Sequence, residues 1–456
     1  MKLNKQGYFP LQDRLLANKK IYGKLLGIHF VDSEIFIRIM QQAFVFFLFF
    51  IPFYGCAQQK NSLSLSEPEK VGISSTGLIR IDSVMQRYVN ENKLPGMITM
   101  IARKGKLVNF KEYGSLNEGS PMRSDAIFRI ASMTKPVTSV AIMILFEEGR
   151  LNLDDPVSKY IPEFKDLKVF SSKDINGVHL EKQIKLMTIK HLLTHTSGLG
   201  SGAEDTYIDS LYRIANINEG TLKEEIQKLT QIPLKYQPGT RWHYGLSTDV
   251  LGYIIENVSG QSLDMFFKER IFQPLHMVDT DYSIPEDKLN RVAAVYSMSD
   301  NGIKILNIPE INNVSAPAKN IRGNGGLLST ATDYMIFSQM LLNKGEYNGS
   351  RILKRETVEL ITSNQLTDEI MPDDVFLSKI MSGMGFGLGF AIMKDESHAN
   401  KIGSVGSFWW SGAANTYFFI DPKEDLILIF MTQFVPSFYY PVFTEFRQIV
   451  YNSIDQ

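Results

Sequence analysis

The chain has 456 residues, of which 44% are hydrophobic and 21% are charged, so it is long enough to bury a substantial core. By length alone it could hold about two to three domains. Its formal net charge of −1 gives no electrostatic argument for binding nucleic acid or an acidic membrane, and no basic cluster is interleaved with aromatic residues. We therefore expect no nucleic-acid partner.

The first predicted element is an apolar run that ends at the single cysteine, Cys56. This run, AFVFFLFFIPFYGC, has about the length of a signal-peptide hydrophobic region, and a polar stretch follows it. A small residue before the cysteine resembles a bacterial lipoprotein signal, in which Cys56 would be lipidated. The alternative is a short membrane anchor or an uncleaved signal, and Met40 could be the true start. Both alternatives predict an exported, cell-envelope protein held at the membrane by a lipid or signal anchor.

Residues 1–56 are therefore excluded from the fold prediction, and residues 57–66 are interpreted as a linker. From residue 67, helical spacing of apolar residues predicts a helix near residues 76–91. GMITMIAR and KLVNFKEYG, joined through Lys104 and Gly105, predict a β-hairpin. The run IASMTKPVTSVAIMILFEEG then predicts a buried helix, because it is apolar nearly all round. Pro136 fits in its first turn, and Gly149 is predicted to cap its C-terminus.

Residues 151–320 have a mostly helical pattern, as in DVLGYIIENVSG and SLDMFFKERIFQPL. The rest of the chain predicts a helix within RGNGGLLSTATDYMIFSQMLLNKG, strands at GLGFAIMK, NTYFFID and LILIFMTQF, and a final helix near residues 441–453. Strands at both ends with helices between them predict a discontinuous sheet domain. It would combine residues 67–150 and 321–456, with residues 151–320 as a mostly helical inserted region.

Ser132 and Lys135 lie at the entrance of the predicted buried helix, one turn apart on the same face. A serine hydroxyl is a poor nucleophile until a base removes its proton, and a lysine one turn further on is placed to do so. The helix N-terminus would also favour the developing negative charge. The S-x-x-K pattern alone is weak, because many serines have a lysine three positions later by chance.

The segment WHYGLSTDVLGYIIENVSG carries Tyr244 just before a predicted helix, with Ser247 or Thr248 as its N-cap. A tyrosine hydroxyl at such a junction could carry a proton between nucleophile and leaving group. The alternative is an amphipathic tyrosine at the rim of the core.

The segment GSFWWSGAANTYFFID contains three small residues, Gly412, Ala413 and Ala414, that would let a strand backbone approach a ligand. A backbone N–H there could complete an oxyanion hole. Trp409 and Trp410 would otherwise be core or rim aromatics.

In this order, the three segments resemble the serine β-lactamase and penicillin-binding-protein superfamily. They are most similar to class C-like β-lactamase-related hydrolases and family VIII carboxylesterases. The resemblance spans residues 67–454 and includes HLLTHTSGLG, YQPGTRWHYGLSTDVLG and GNGGLLSTATDY. It implies an α/β fold of the α+β type, β-lactamase/transpeptidase-like, with an antiparallel sheet flanked by helices.

The resemblance also implies roles for individual residues. Ser132 would be the nucleophile, Lys135 its base partner and Tyr244 a second proton carrier. The backbone N–H groups of Ser132 and Ala413 would form the oxyanion hole, and neither a metal nor an organic cofactor would be needed.

Two departures from the β-lactamase pattern bear on the substrate. Leu246 stands where the second motif carries Asn, and Trp410-Ser411-Gly412 stands where the third motif is Lys-Thr-Gly. Loss of a cation and an amide removes contacts worth about 1.5–3 kcal/mol each. We therefore expect a substrate-binding surface formed by Leu246, Trp410, Ser411 and Gly412 to favour an apolar ester over a carboxylate-bearing β-lactam. Arg322 could supply a replacement cation, which keeps a peptide substrate open.

The predicted function is a carboxylesterase that cleaves short-chain or uncharged esters through an acyl-enzyme on Ser132. The alternatives are a D-Ala-D-Ala carboxypeptidase or D-aminopeptidase, a weak class C-like β-lactamase, and a penicillin-binding-like binding or sensing protein without catalysis. The expected partner is a small-molecule ester or peptide, and the oligomeric state stays open. The intact Ser, Lys and Tyr argue against a pure binder, which has no need of a buried lysine beside a serine.

Other candidate motifs favour structural interpretations. His191 and His195 have i, i+4 spacing, but no Glu follows His191 as in a zinc-protease helix. His243 could tune its neighbour Tyr244. GMGFGLGF (383–390) lacks the Lys-Ser/Thr of a phosphate loop and predicts a strand and turn, and TDEIMPDDV (367–375) predicts a solvated acidic loop. No serine lies in G-x-S-x-G, which argues against an α/β-hydrolase nucleophile elbow.

Overall fold

The computed structural model describes residues 64–300, 302–308, 313–315, 321–370, 383–394 and 402–454. These residues all fall within one unit, Asn61–Gln456. The predicted leader with Cys56, most of the predicted linker and residues 371–375 of the predicted acidic loop lie outside them. Within the described ranges, none of the helices combines the length and the apolar character needed to cross a membrane.

The strands carry most of the framework. In chain order they are β1 (Gly96–Arg103), β2 (Lys106–Asn117), β3 (Ser120–Pro121), β4 (Ile127–Arg129), β5 (Lys168–Asp174), β6 (Gly177–Lys182), β7 (Tyr296–Ser299), β8 (Gly302–Ile305), β9 (Leu328–Thr330), β10 (Glu346–Tyr347), β11 (Ser350–Arg351), β12 (Met384–Phe386), β13 (Ala391–Met393), β14 (Phe408–Gly412), β15 (Thr416–Asp421), β16 (Leu426–Thr432) and β17 (Phe434–Val435).

The helices occupy the intervals between these strands. They are α1 (Ser75–Asn90), α2 (Thr134–Glu147), α3 (Ile189–Leu193), α4 (Tyr207–Ile214), α5 (Leu222–Leu229), α6 (Ser247–Ser259), α7 (Leu263–Phe267), α8 (Gln273–Leu275), α9 (Ala331–Leu342), α10 (Arg355–Ile361) and α11 (Val442–Asn452). Short 3₁₀ turns cover Pro68–Val71, Ala131–Met133, Val157–Lys159, Pro162–Asp166 and Glu286–Arg291, and a π turn covers Lys268–Phe272.

Eight of the described strands form one antiparallel sheet in the order β12-β13-β14-β15-β16-β1-β2-β3. The two ends of the chain meet at its centre, where β1 pairs with β16 in the register Met97↔Thr432 to Arg103↔Leu426. The predicted antiparallel sheet flanked by helices is confirmed, and its strands come from residues 96–121 and 384–432. The domain boundaries at residues 150 and 321 stay a prediction.

Helices cover both faces of this sheet. Tyr417 of β15 stacks on Phe443 of α11, with ring centroids 4.4 Å apart. The next residue, Phe418, packs against Tyr334 of α9 at 5.2 Å. Successive side chains of a strand point to opposite faces, so these contacts place α11 and α9 on opposite sides. Burial on both faces explains why the interiors of β15 and β16 are apolar on both sides.

Helix α2 lies in the core and packs against α6. Every residue from Thr134 to Leu145 is buried, as the all-round apolar pattern predicts. Gly149 follows the helix with φ 69° and donates its N–H to the Phe146 carbonyl, which confirms it as the C-terminal stop. The region between α2 and β9 also contains two hairpins, β5–β6 and β7–β8, that the sequence pattern did not predict.

Two local predictions are wrong. Leu246, rather than Ser247 or Thr248, occupies the N-cap of α6, and the Ser247 hydroxyl instead shares a buried 2.8 Å hydrogen bond with Ser197.

The strand predicted at GLGFAIMK is confined to β13. The preceding residues 387–390 form a tight turn, because the Gly387 N–H donates to the Phe390 carbonyl and Gly389 adopts φ 98°.

Candidate active site

Ser132 lies in the 3₁₀ turn that leads into α2, and this turn is fixed from two sides. The Tyr334 hydroxyl of α9 donates to the Met133 carbonyl at 2.8 Å. From the sheet, the backbone of Gly412 approaches so closely that a Cβ there would lie 2.4 Å from the Ile130 carbonyl oxygen. Ala131 has φ 45°, a left-handed conformation that costs a non-glycine residue about 1–3 kcal/mol and is typical of functional sites.

The Ser132 hydroxyl and the Lys135 amine are in direct contact. Lys135 Nζ lies 3.1 Å from Ser132 Oγ and donates to the Asn324 carbonyl at 2.9 Å. Only 5% of Lys135 is exposed, whereas Ser132 is half-buried and can be reached from solvent. A buried amine one helical turn from an accessible hydroxyl is the arrangement that activates a serine nucleophile.

Tyr244 completes the predicted trio. It lies three residues before α6, is half-buried, and its ring centroid is 4.6 Å from Lys135 Nζ. The structure therefore brings Tyr244 to Ser132 and Lys135, although Tyr244 lies 112 residues after Ser132 along the chain.

An aromatic wall surrounds Tyr244. Its ring lies 5.4 Å from Trp410, 6.2 Å from Trp242 and 4.9 Å from His195. Phe386 of β12 closes the wall with edge contacts to Trp410, Trp242 and His195 at 5.5–5.6 Å. Leu246, at the N-cap of α6 and two residues after Tyr244, is buried as well.

Sequence reasoning missed Phe386 as a site residue, and its position within GMGFGLGF gave no signal beyond a strand and turn. It also missed the contact between Asn324 and Lys135. Asn324 lies within the quoted GNGGLLSTATDY, but nothing in that segment indicates which side chain its carbonyl would meet.

The predicted oxyanion groups lie at the end of β14. Gly412 is the last residue of this strand and lies against the Ile130 carbonyl, while Ala413 follows it and is exposed. Ser411 is half-buried beside them. Ala413 thus follows a residue that contacts the turn carrying Ser132, and its role in an oxyanion hole with the Ser132 N–H stays a prediction.

Arg322 is engaged elsewhere, which corrects the expectation that it could replace the missing lysine. Its guanidinium forms an ion pair with Glu225, whose side chain is fully buried on α5, and it also donates to the Asn218 carbonyl at 2.7 Å. Breaking a buried ion pair typically costs about 3–5 kcal/mol, so Arg322 is not available to bind a substrate carboxylate.

The histidines occupy structural positions. His191 forms a capping box with Thr188 at the start of α3. His195 is packed between aromatic rings, and burial holds its pKa well below the ordinary value, with the charges of Lys135 and His243 acting in the same direction. His243 packs against Tyr236 and lies 3.7 Å from Glu204. In the described part of the chain, no three His, Cys, Asp or Glu residues are grouped as a metal site.

Fold and site together define a serine hydrolase, and the chain belongs to the beta-lactamase family. The family model described as Beta-lactamase matches residues 81–442. The resemblance inferred from the three motifs is therefore confirmed.

Individual relatives are similar over most of the chain. Protein Rv1367c of Mycobacterium tuberculosis is 34% identical over 355 residues, which cover 75% of this chain and 87% of the relative. Esterase EstB of Burkholderia gladioli is 29% identical, with 77% and 89% covered. The solved structure of EstCE1, described as a hydrolase with promiscuous acyltransferase activity, superposes with a TM-score of 0.71 at 24% identity, covering 82% of this chain and 98% of its own.

Proposed function

We propose that this hydrolase is a carboxylesterase for short-chain or uncharged esters, with Ser132 as its nucleophile. One observation carries the proposal: the 3.1 Å contact between Ser132 Oγ and Lys135 Nζ opens onto an aromatic wall, where β-lactamases have a cation. The similarity to esterase EstB supports it.

Acylation would begin when Lys135, in its neutral form, takes the proton of Ser132 as Oγ attacks the ester carbonyl carbon. The carbonyl oxygen becomes an oxyanion bound by the N–H groups of Ser132 and Ala413. The C–O bond to the alcohol then breaks, and the alcohol leaves with a proton relayed through Lys135 and Tyr244. In deacylation a water activated near Tyr244 attacks the acyl-enzyme, and the acid and free Ser132 are regenerated.

The wall explains why an uncharged substrate is favoured. A carboxylate moved from water to a surface of Trp410, Leu246 and Tyr244 loses its hydration without gaining a charged partner. Arg322 does not compensate, because Glu225 already neutralises it. An apolar acyl or alcohol group instead gains about 25 cal/mol for each Å² that it buries there.

The decisive experiment compares a short-chain p-nitrophenyl ester with a chromogenic cephalosporin on the same purified protein. We expect turnover of the ester and no turnover of the cephalosporin. Ser132→Ala should abolish the ester activity, whereas the matched control Ser83→Ala, which alters an exposed serine on α1, should leave it unchanged.

Other outcomes would select the alternative functions. Cephalosporin turnover would contradict the interpretation of the wall and favour a β-lactamase. Release of D-alanine from a peptide ending in D-Ala-D-Ala, without ester turnover, would favour a carboxypeptidase. Absence of covalent labelling of Ser132 by a fluorophosphonate, on folded protein, would favour a binding protein.

We also propose that the protein is exported and held at the membrane through Cys56. The support is the sequence pattern alone, an apolar run that ends in Gly-Cys and is followed by a polar stretch. Expression of the full chain in a bacterial host and metabolic labelling with a fatty-acid probe tests it. Labelling that disappears in Cys56→Ala is the expected result, and an unlabelled protein in the soluble fraction would contradict the proposal.

A further inference from the structure

Helix α6 carries a buried carboxylate, Asp249, five residues after Tyr244. Its exposed fraction is 0%. One of its oxygens accepts the backbone N–H of Asn324 at 2.9 Å, and the other accepts a short hydrogen bond from the Asn324 side-chain amide. Asp249 thus accepts hydrogen bonds from both the backbone and the side-chain amide of Asn324.

Asn324, held by Asp249, in turn contacts the reacting groups. Its carbonyl oxygen accepts a hydrogen bond from Lys135 Nζ at 2.9 Å, and the same nitrogen lies 3.1 Å from Ser132 Oγ. A continuous series of hydrogen bonds therefore runs from Asp249 through Asn324 and Lys135 to the nucleophile. The contacts of Asn324 with Asp249 and with Lys135 join segments that are far apart in sequence, so both depend on the folded site.

The backbone around Asn324 leaves little room for an alternative position. A Cβ at Gly323 would lie 2.1 Å from the Thr248 carbonyl oxygen, so this segment lies directly on α6. The Gly323 carbonyl accepts from the Thr138 hydroxyl at 2.7 Å, and the Arg322 carbonyl accepts from the Tyr282 hydroxyl at 2.5 Å. Three successive carbonyls are therefore each held by a side chain from another element.

We propose that Asp249 is a positioning residue for catalysis, which holds Asn324 so that its carbonyl fixes the Lys135 amine against Ser132. This inference rests on the proposed function of Ser132 and Lys135. A carboxylate suits the role because its two oxygens can satisfy two donors, whereas an amide at this position offers one acceptor. Burial raises the pKa of Asp249, while the two hydrogen bonds from Asn324 and the charge of Lys135 oppose that rise.

Asp249→Asn tests the proposal. The variant loses one acceptor and sets two amide groups against each other, so Asn324 should move and Lys135 with it. Because displacement of a reacting group by about 1 Å can cost roughly 100-fold, we expect kcat for the p-nitrophenyl ester to fall by about that factor. The rate of fluorophosphonate labelling at Ser132 should fall in parallel, and KM should change less than about threefold.

The reciprocal double variant Asp249→Asn/Asn324→Asp supplies a rescue. Its amide at 249 can accept the backbone N–H of residue 324 and donate to the new carboxylate, which restores both hydrogen bonds. We expect it to regain at least about tenfold in labelling rate over the single variant. A residue with a merely structural role would alter the melting temperature without this recovery of rate per folded molecule.

Asp333→Asn is the matched control. Asp333 is almost as deeply buried, and it accepts hydrogen bonds from the Asp279 backbone N–H and the Thr280 hydroxyl, but it lies outside the site. It should change the melting temperature and leave the labelling rate unchanged.

If Asp249→Asn does not fold, Asn324→Ala replaces it, because this variant loses only the side-chain donor. We expect it to label about tenfold more slowly.

The outcomes separate the inference from the function on which it rests. Wild-type protein that does not label at Ser132 and does not turn over esters would overturn both. A labelled, active wild type, together with an Asp249→Asn or Asn324→Ala variant that reacts at the wild-type rate, would overturn the positioning role alone.

Discussion

Two lysines of this protein are buried to nearly the same degree but have opposite surroundings. Lys135 is 5% exposed, and its nitrogen meets an uncharged hydroxyl and a backbone carbonyl. Lys235 is 7% exposed, and it forms ion pairs with the carboxylates of Asp209 and Glu204. Burial opposes the charged form of Lys235, but the hydrogen bonds with these two carboxylates win and raise its pKa.

The difference separates a structural lysine from a chemical one. Around Lys235, the ammonium is paired with two carboxylates, and Asp209 also holds the loop before α4 by accepting N–H groups from Ser201 and Gly202. No such pairing satisfies Lys135 at the mouth of α2. A buried amine that meets only neutral acceptors and lies beside a reachable hydroxyl is placed for proton transfer.

The largest expected effect tests this comparison directly. Lys135→Ala should lower kcat for the ester by about 10³-fold or more, because it removes the general base while leaving a small neutral cavity. Lys235→Met should instead lower the free energy of unfolding by about 3–5 kcal/mol, since Asp209 would be left buried and unpaired. Ester kinetics and urea denaturation of both variants measure the two effects.

The comparison fails if the effects are exchanged. A Lys135→Ala variant that keeps its activity would remove the base role. A Lys235→Met variant that keeps its stability but loses activity per folded molecule would mean that the Asp209 cluster takes part in the reaction.

The sequence predicted the role of Lys135 but gave no prediction for Lys235. The S-x-x-K spacing places Ser132 and Lys135 on one face of a helix, so local geometry alone predicts their contact. The order of the three motifs then pointed to Tyr244. The apolar strands at both ends of the chain also predicted one sheet built from both, but they did not predict that β1 pairs with β16 at its centre.

The remaining contacts depend on tertiary packing. The Lys135 nitrogen meets a carbonyl 189 residues away, and Arg322 meets Glu225 on a helix that no motif linked to it. Leu246 occupies an N-cap, against its intrinsic preference, because the neighbouring Ser247 is drawn into a buried hydrogen bond with Ser197. Local propensity cannot report such partners.

A smaller effect should come from rebuilding the wall beside Lys135. Leu246→Asn combined with Trp410→Lys restores the amide and the cation of the β-lactamase motifs, and each is worth about 1.5–3 kcal/mol toward a carboxylate-bearing ligand. We expect acylation by a chromogenic cephalosporin to rise by at least about tenfold. The rate of colour change in the double variant, with wild type alongside, measures it.

The same double variant should lose activity toward the apolar ester, which makes the test two-sided. Circular dichroism and the melting temperature establish that it is folded. A folded variant with no gain in cephalosporin acylation would show that the wall does not set the choice between ester and β-lactam.

The last expected effect concerns pH and contrasts two buried carboxylates. Burial raises the pKa of Asp333 to about 7, with Asp279 adding to the rise while its hydrogen-bond donors and Lys288 oppose it. Burial also acts on Asp209, but the hydrogen bonds from Lys235 and Thr206 outweigh it and lower the pKa of that carboxyl. The two groups should therefore give stability opposite dependences on pH.

For Asp333 the unfolded value is about 3.9, so between about pH 4 and 7 the folded state binds more protons than the unfolded chain. Its contribution makes the free energy of unfolding fall as pH rises through this window, by up to about 1.4 kcal/mol per pH unit. Asp209 acts in the opposite sense, because its stabilisation is present above the unfolded value and is lost as the pH falls below it. Urea denaturation at intervals of half a pH unit measures both dependences. Asp333→Asn should remove the fall in the free energy of unfolding between about pH 4 and 7. It should retain the loss of stability at acid pH that comes from Asp209. An unchanged slope in Asp333→Asn would mean that the buried carboxyl is already charged at pH 5, and that Thr280 and the Asp279 amide compensate its burial in full.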